Sequence, residues 1–263
     1  MSRKVALVTG ANRGIGRAVA EAFGRLGMRV LVAVRNASAG ETVVKEMRDA
    51  GCDAYLLVME IVNESSVLDA AKEVERVHGR LDVLVNNAAM MDYDNHIAPL
   101  NLERMREEFD VNFFSSVNVT NAFLPLILRT SDAPRIVNVS TPLGTHQTVD
   151  NPTNMYASAL FTSYRCTKAA LNMYTHNLAK WLESGGDIAF EADATTLERM
   201  RVNARAAKVN AAYPGYVRTD MSRNSEEAPL SPAEGAETIV YLATLPHDGP
   251  TGGLFHNQER LSW

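Results

Sequence analysis

The stretch Val5-Ala6-Leu7-Val8-Thr9-Gly10-Ala11-Asn12-Arg13-Gly14-Ile15-Gly16-Arg17 carries the decision about the fold. Val5 to Val8 is an uncharged apolar run, the pattern of a parallel strand buried on both faces. From Ile15 to Leu26 the apolar residues recur instead at helical spacing. Between strand and helix stand Gly10, Gly14 and Gly16, which permit a tight turn and a close approach of the backbone to a ligand. The amides and positive dipole end of the following helix suit a pyrophosphate. Gly10, Asn12, Arg13, Gly14, Ile15 and Gly16 are therefore candidate dinucleotide-binding residues. A Gly-rich turn alone is a weak signal, so the rest of the chain has to support it.

Working outward, further apolar, β-branched runs lie at Val30 to Val34, Tyr55 to Val58, Val83 to Val85, Ile136 to Val139 and Val209 to Ala212. Segments with helical spacing separate them, at Glu41 to Ala50, Val67 to Val77, Leu102 to Leu128 and Tyr164 to Leu182. Regular alternation of strand and helix predicts an α/β fold of the Rossmann type: a doubly wound parallel sheet with helices on both faces and a ligand crevice at the carboxyl ends of the strands. There is no repeat or low-complexity linker, and residues 1–263 read as a single dinucleotide-binding and catalytic domain. A segment at 183–208 looks inserted, with Leu197 and Met200 on one side of a short helical pattern. A surface excursion is expected there, with a substrate lid or an oligomer contact as alternatives.

The net charge of −5 arises from scattered charges without a basic run, which argues against nucleic acid as a partner. Cys52 and Cys166 lie far apart and outside any metal-ligand spacing, which suits a reducing compartment. His78, His96, His146, His176, His247 and His256 form no ligand pattern either, so no metal is expected. The N-terminal apolar run is too short for a signal peptide, and no stretch reads as the ~18 uncharged apolar residues of a membrane span. A soluble, cytoplasmic protein acting on a small molecule is expected.

At the end of the second strand, Ala33-Val34-Arg35-Asn36 offers no carboxylate. An acid there would bind the free 2′-hydroxyl of NAD, whereas an arginine matches the 2′-phosphate of NADP(H). Arg35, with Arg13 in the Gly-rich turn, therefore favours NADPH/NADP+. Further on, Tyr164 and Lys168 are four residues apart and share a helix face. A fixed positive charge lowers the pKa of a nearby phenol, so Lys168 is expected to make Tyr164 a usable acid.

In this order the motifs resemble the short-chain dehydrogenase/reductase family, and its carbonyl reductase-like members in particular, over nearly the whole chain. Tyr164 and Lys168 match that family's Tyr-x-x-x-Lys pair. Asn86-Asn87-Ala88-Ala89 resembles its Asn-Asn-Ala-Gly segment bordering the cofactor, with Ala89 in place of the glycine. Asn112 falls at the asparagine that holds a water in the proton relay. Glu60, followed by Ile61, stands where relatives carry an Asp near the adenine. Pro214-Gly215, with Val217 and Thr219, resembles the loop that holds the nicotinamide carboxamide and adjacent phosphate. Counting back from Gly144 puts Thr141 at the position of the catalytic serine, with Ser140 as fallback.

What the resemblance implies is NADPH-dependent hydride transfer to a carbonyl, with Tyr164 as general acid, Thr141 holding the oxygen, and Lys168 binding ribose and polarising Tyr164. Imine reduction and NADP-dependent alcohol oxidation use the same geometry. The departures at Glu60, Ala89 and Thr141 also allow an NADP(H)-binding regulatory protein with little catalysis. Loops at Met90 to His96 and His146 to Tyr156, with Tyr216 and Met221, should flank the substrate. Relatives dimerise or tetramerise through the helices containing Asn112 and Tyr164, while some with a longer segment before the Tyr are monomers, so a homo-oligomer and a monomer both remain open.

Overall fold

The computed structural model describes residues 3–93, 99–150, 161–186, 190 and 192–263. The expectations for His96 and for 151–156 lie outside the described residues. Among the described residues one sheet has eight strands, β1 (Val5–Thr9), β2 (Arg29–Val34), β3 (Asp53–Val58), β4 (Val83–Asn86), β5 (Arg135–Val139), β6 (Lys208–Ala212), β7 (Leu254–His256) and β8 (Glu259–Leu261). Their spatial order is β3-β2-β1-β4-β5-β6-β7-β8. All neighbours pair parallel except β7 with β8. The order reverses between β1 and β4, which is the switch point where a doubly wound sheet opens its ligand crevice.

The two faces of the sheet are covered by different helices. One face packs against α1 (Gly14–Arg25), α2 (Ala37–Asp49) and α9 (Pro232–Ala243), burying Val8, Val32 and Val85 with Phe23, Met47 and Ile239. The other packs against α3 (Glu64–His78), α5 (Ser115–Thr130), α7 (Thr162–Glu183) and α8 (Ala194–Ala206), burying Leu7, Leu31 and Leu84 with Phe123, Ile127 and Leu182. Alternate residues of one strand thus serve opposite faces, as the pleat requires. Helix α8 belongs to the 183–208 segment. Its Met200 and Ala204 are fully buried, and Asn203 Nδ2 donates to Leu128 O at 2.8 Å, so the segment is anchored on α5.

The expectation that no stretch is apolar enough to span a membrane needs correction. The continuous helical stretch Leu102–Thr130, made of α4 (Leu102–Phe109), a π-helical segment (Asp110–Phe114) and α5, meets that length and composition. Its apolar character follows from burial: Val119, Phe123, Leu124, Ile127 and Leu128 form part of the core under the sheet. The stretch His146–Asp150, expected as part of a loop, instead forms the short helix α6.

Candidate active site

Construction of the site begins at the carboxyl ends of β1 and β4. Thr9 Oγ1 accepts from the N–H groups of Asn87 and Ala88 at 2.9 and 3.1 Å, and Asn87 Nδ2 donates to Thr9 O at 2.8 Å. These bonds hold the Gly-rich turn against the segment after β4. Gly10 and Gly14 adopt φ of 65° and 54°, in the left-handed region that favours glycine. At Gly16 a Cβ would lie 2.4 Å from Asn87 Nδ2 and 2.5 Å from Gly10 O, so only glycine fits. Helix α1 starts with no side-chain cap at Arg13 and no acid in its first turn, which leaves its positive end for an anion. Ile15 turns inward and packs on the core, while Asn12 is half-buried at the turn.

Gly215, after Pro214, has φ of 84°, and the chain then makes an isolated bridge from the buried Val217 to Leu230. A Cβ on Gly14 would stand 3.4 Å from Thr219 Cγ2, so this loop borders the Gly-rich turn. Arg13 turns toward the same loop, pairing with Asp220 at 2.6 Å. Arg35 lies elsewhere, exposed at the end of β2 and 3.6 Å from the Glu60 carboxylate. Glu60 is half-buried after β3, and Ile61 packs on the core beside it. Ala89 is half-buried after β4. The structure therefore assembles the turn, the Asn87 segment and the Thr219 loop into one cradle, with Arg35 and Glu60 as a separate pair at its outer end.

Beyond the cradle, β5 runs into Ser140 and Thr141 and then a 3-10 turn over Pro142–Gly144. Gly144 sits where a Cβ would be 2.5 Å from Ala169 N and 2.6 Å from Lys168 C, so the turn packs directly on the backbone of α7. Ser140 Oγ donates to Asn172 Oδ1 of α7 at 2.5 Å. Thr141 Oγ1 accepts from Leu143 N–H at 3.2 Å, and the residue is buried. Among the described residues the Thr141 hydroxyl proton has no acceptor, so it is the Thr141 group that can donate to a substrate oxygen.

Lys168 is buried on α7, and its Nζ donates to Val139 O at 2.9 Å and lies 5.6 Å from the Tyr164 ring centre. Burial lowers the Lys168 pKa to about 8. The expected lowering of the Tyr164 pKa by Lys168 is corrected here. Burial first, and then the neighbouring Glu108 and Tyr93, push the phenol above its ordinary value. The ammonium is turned to the β5 carbonyl, and the phenol stands in a poorly solvated wall.

Asn112, within the π-helical segment, is fully engaged. Its Oδ1 accepts from Met90 N–H at 2.8 Å, and its Nδ2 donates to Met90 O at 2.8 Å and Thr167 Oγ1 at 3.2 Å. Thr167 Oγ1 in turn donates to Tyr164 O at 2.7 Å. Asn112 thus ties the segment after β4 to the first turn of α7. A π-helical turn at such a point is a frequent mark of a functional site.

Sequence reasoning assigned no bonding role to several residues that hold this arrangement. Asn86 donates to Thr120 Oγ1 and Asn138 Oδ1, and Asn138 donates to Thr175 Oγ1, linking β4, α5, β5 and α7. The available signal was an asparagine inside each of two apolar strands, where that residue type is depleted. Tyr93 donates to Met221 O at 2.5 Å, packs edge-on to Phe161 and lies under Arg223, joining the loops after β4 and β6. Glu108, fully buried, also escaped notice.

A doubly wound sheet with a glycine cradle at its switch point and a Tyr and Lys on the adjoining helix defines a dinucleotide-binding enzyme fold. The sequence profile of the short chain dehydrogenase family matches residues 4–230. The chain is 32% identical to carbonyl reductase [NADPH] 1 of Mus musculus, over all of this chain and 99% of that protein. It is 28% identical to (+)-neomenthol dehydrogenase of Arabidopsis thaliana, covering 98% and 97% of the two chains. Among solved structures, NADPH-bound carbonyl reductase from chicken fatty liver has the same fold, with a TM-score of 0.80 at 24% identity over 99% of each chain. A metagenomic short-chain oxidoreductase in complex with NADP gives 0.72 at 26% identity, over 95% of this chain and 94% of that one. The protein belongs to the short-chain dehydrogenase/reductase family and is an oxidoreductase resembling its carbonyl reductases.

Proposed function

We propose that the protein reduces the carbonyl group of a small ketone or aldehyde to an alcohol with NADPH, within one domain spanning residues 1–263. The observation that carries this reading is the packing of the turn after Thr141 on the backbone of the helix that bears Tyr164 and Lys168, together with a cradle in which a Cβ at Gly16 would collide with Asn87 and Gly10. Bound there, the cofactor would supply the hydride. Gly10, Asn12, Gly14, Ile15, Gly16, Asn87, Ala88 and Ala89 would hold it along the turn, with Pro214, Gly215, Val217 and Thr219 on the facing side. Arg35 would neutralise a 2′-phosphate, for which it is exposed and, among the described residues, carries no closer carboxylate than Glu60 at 3.6 Å. Arg13 would first have to exchange its bond with Asp220.

On the substrate side, Thr141 donates a hydrogen bond to the carbonyl oxygen, and this bond strengthens as negative charge develops there. Tyr164 protonates the oxygen. The phenol carries its proton throughout the neutral range, as the reductive direction requires, and its burial makes it the weaker acid. Lys168 holds positive charge beside that phenol, and Asn112 fixes the turn from which Tyr164 projects. Two free cysteines suit the proposed cytoplasmic location.

A panel of ketones, aldehydes, quinones and imines, followed by NADPH oxidation, tests the reading. Tyr164→Phe should abolish turnover of the best substrate while NADPH binding, read by fluorescence titration, persists; a fully active variant refutes it. NADPH binding without turnover across the panel would favour a regulatory protein, and preferential turnover of imines would move the substrate class. Arg35→Asp should shift affinity from NADPH toward NADH, and an unchanged ratio would defeat the role of Arg35.

A further inference from the structure

Glu108 has no part in the chemistry above, yet it is fully buried one helical turn before Asn112. A carboxyl group without exposure needs partners, because desolvation strongly disfavours its charged form. It has one on the loop after β4: Oε1 accepts from Asp92 N–H at 2.9 Å. Oε2 is buried and among the described residues accepts no hydrogen bond, as is the hydroxyl of Ser163, which immediately precedes Tyr164. The Ser163 hydroxyl lies close enough to help hold down the Glu108 pKa, against the burial that raises it most. The same carboxyl faces the Tyr164 phenol and acts on it in the direction of the protonated form. Two buried polar groups without hydrogen bonds among the described residues stand at the root of the proton donor, an arrangement that is costly to fold.

We propose that Glu108 is a positioning residue for the proton donor: it holds the loop after β4 through Asp92 N–H, stands with its second oxygen beside the Ser163 hydroxyl in the first turn of α7, and sets an acidic group beside Tyr164. The inference rests on Tyr164 acting as the acid. The charged and titratable groups facing this cluster among the described residues are Tyr93 from the loop after β4, Lys168 from α7, Asp92 beside Glu108, Arg104 at 3.9 Å from Asp92, and Arg223 over Tyr93. The Lys168 ammonium is engaged with Val139 O, while Glu108 opposes phenolate. Wherever Glu108 is ionised, the phenol keeps its proton to higher pH.

Glu108→Gln keeps the shape and the acceptor for Asp92 N–H but removes the charge. The upper alkaline limb of kcat, above the one that Lys168 sets near pH 8, is where Tyr164 loses its proton, and it should then move to lower pH by roughly half a unit or more. A limb that stays in place or moves upward overturns the electrostatic role. Glu108→Ala, which loses the hold on Asp92 N–H as well, should lower kcat at least tenfold below Glu108→Gln while the Kd for NADPH, read by fluorescence, stays within threefold. Equal kcat values for the two variants overturn the positioning role.

A readout without turnover comes from the ligand-free protein. The folded pKa of Glu108 is raised, so its contribution to stability is full at low pH and is lost as pH rises through that value. The Tm of Glu108→Gln relative to wild type should therefore be higher at pH 8 than at pH 4, and a difference independent of pH overturns the proposal. Tyr164→Phe assayed in parallel separates the two readings, because its full activity would sink the acid role of Tyr164 whatever Glu108 does, while the Tm comparison would still report on Glu108.

Discussion

Gly144→Ala tests whether the spacing between the β5 turn and α7 governs the chemistry. The added Cβ would fall 2.5 Å from Ala169 N and 2.6 Å from Lys168 C, against the 3.4 Å at which ordinary contact begins, so about 0.9 Å of separation must be found. Both opposing atoms are backbone, and no side chain can swing aside. Either the Thr141 turn or the helix carrying Tyr164 and Lys168 has to move. Overpacking of this kind costs about 2 kcal/mol, a fall in Tm of roughly 4–8 °C for a chain of this size. The same displacement separates Thr141 from Tyr164, and a misplacement of about 1 Å lowers turnover by up to roughly 100-fold. Steady-state kinetics on the best carbonyl substrate and differential scanning calorimetry read the two effects. Gly51→Ala supplies the control, since it has nothing within 4 Å and its φ of 83° costs stability alone, about 1–2 kcal/mol. Should Gly144→Ala retain full kcat, or lose no more kcat than Gly51→Ala at matched stability, the argument from spacing fails.

Gly16→Ala places a methyl 2.4 Å from Asn87 Nδ2 and should weaken NADPH binding at least tenfold in a fluorescence titration, with the fold retained by circular dichroism. Thr141→Ser should keep turnover, whereas Thr141→Val, lacking the donor, should lower kcat by roughly 10²–10³-fold. Ser140→Ala breaks the bond to Asn172 and should lower the unfolding free energy by about 1–2 kcal/mol with kcat changed only a few-fold, measured by urea denaturation and steady-state assay. Lys168 has its pKa lowered from 10.5 to about 8, so its charged form is disfavoured by folding below pH 8 and this penalty disappears by pH 10.5. Wild type should therefore gain on Lys168→Met by up to about 3 kcal/mol as pH rises across that window, measured by urea denaturation; a pH-independent difference would refute the buried charge.

The parallel strands were legible because each is a short apolar run between helical segments, and β1, β2, β4 and β5 are buried along most of their length. By contrast, β7 and β8 have three residues each, and their pairing depends on contacts with β6 and each other rather than on any pattern. The glycine cradle was legible for a steric reason, since Gly10, Gly14 and Gly16 each meet a constraint that sequence spacing already suggests. What the sequence could not supply is direction and partner. Arg13 was placed with Arg35, but its charge goes to Asp220, which is 207 positions away in the chain. The Tyr164 and Lys168 pair was found by spacing, yet the shift of the phenol is set by burial and by Glu108 from another helix. Helical spacing reports which side chains share a face, and it is silent on what stands opposite them.

The choice between Ser140 and Thr141 shows how far a count along the chain can go before geometry is needed. The spacing to Gly144 selects Thr141, but a serine next door is chemically the more usual donor. Consecutive residues leaving a strand point to opposite sides, so only one of the two can address the site. Ser140 donates into the interior to Asn172, a buried bond that fixes β5 against α7. Thr141 receives the Leu143 N–H on its oxygen and so keeps its own proton for an outside acceptor. The extra methyl group of Thr141 restricts rotation about its first side-chain bond, and the Leu143 contact holds the oxygen in place. Under the proposed function a threonine at this position would donate in a fixed direction, while the adjacent serine holds β5 against α7.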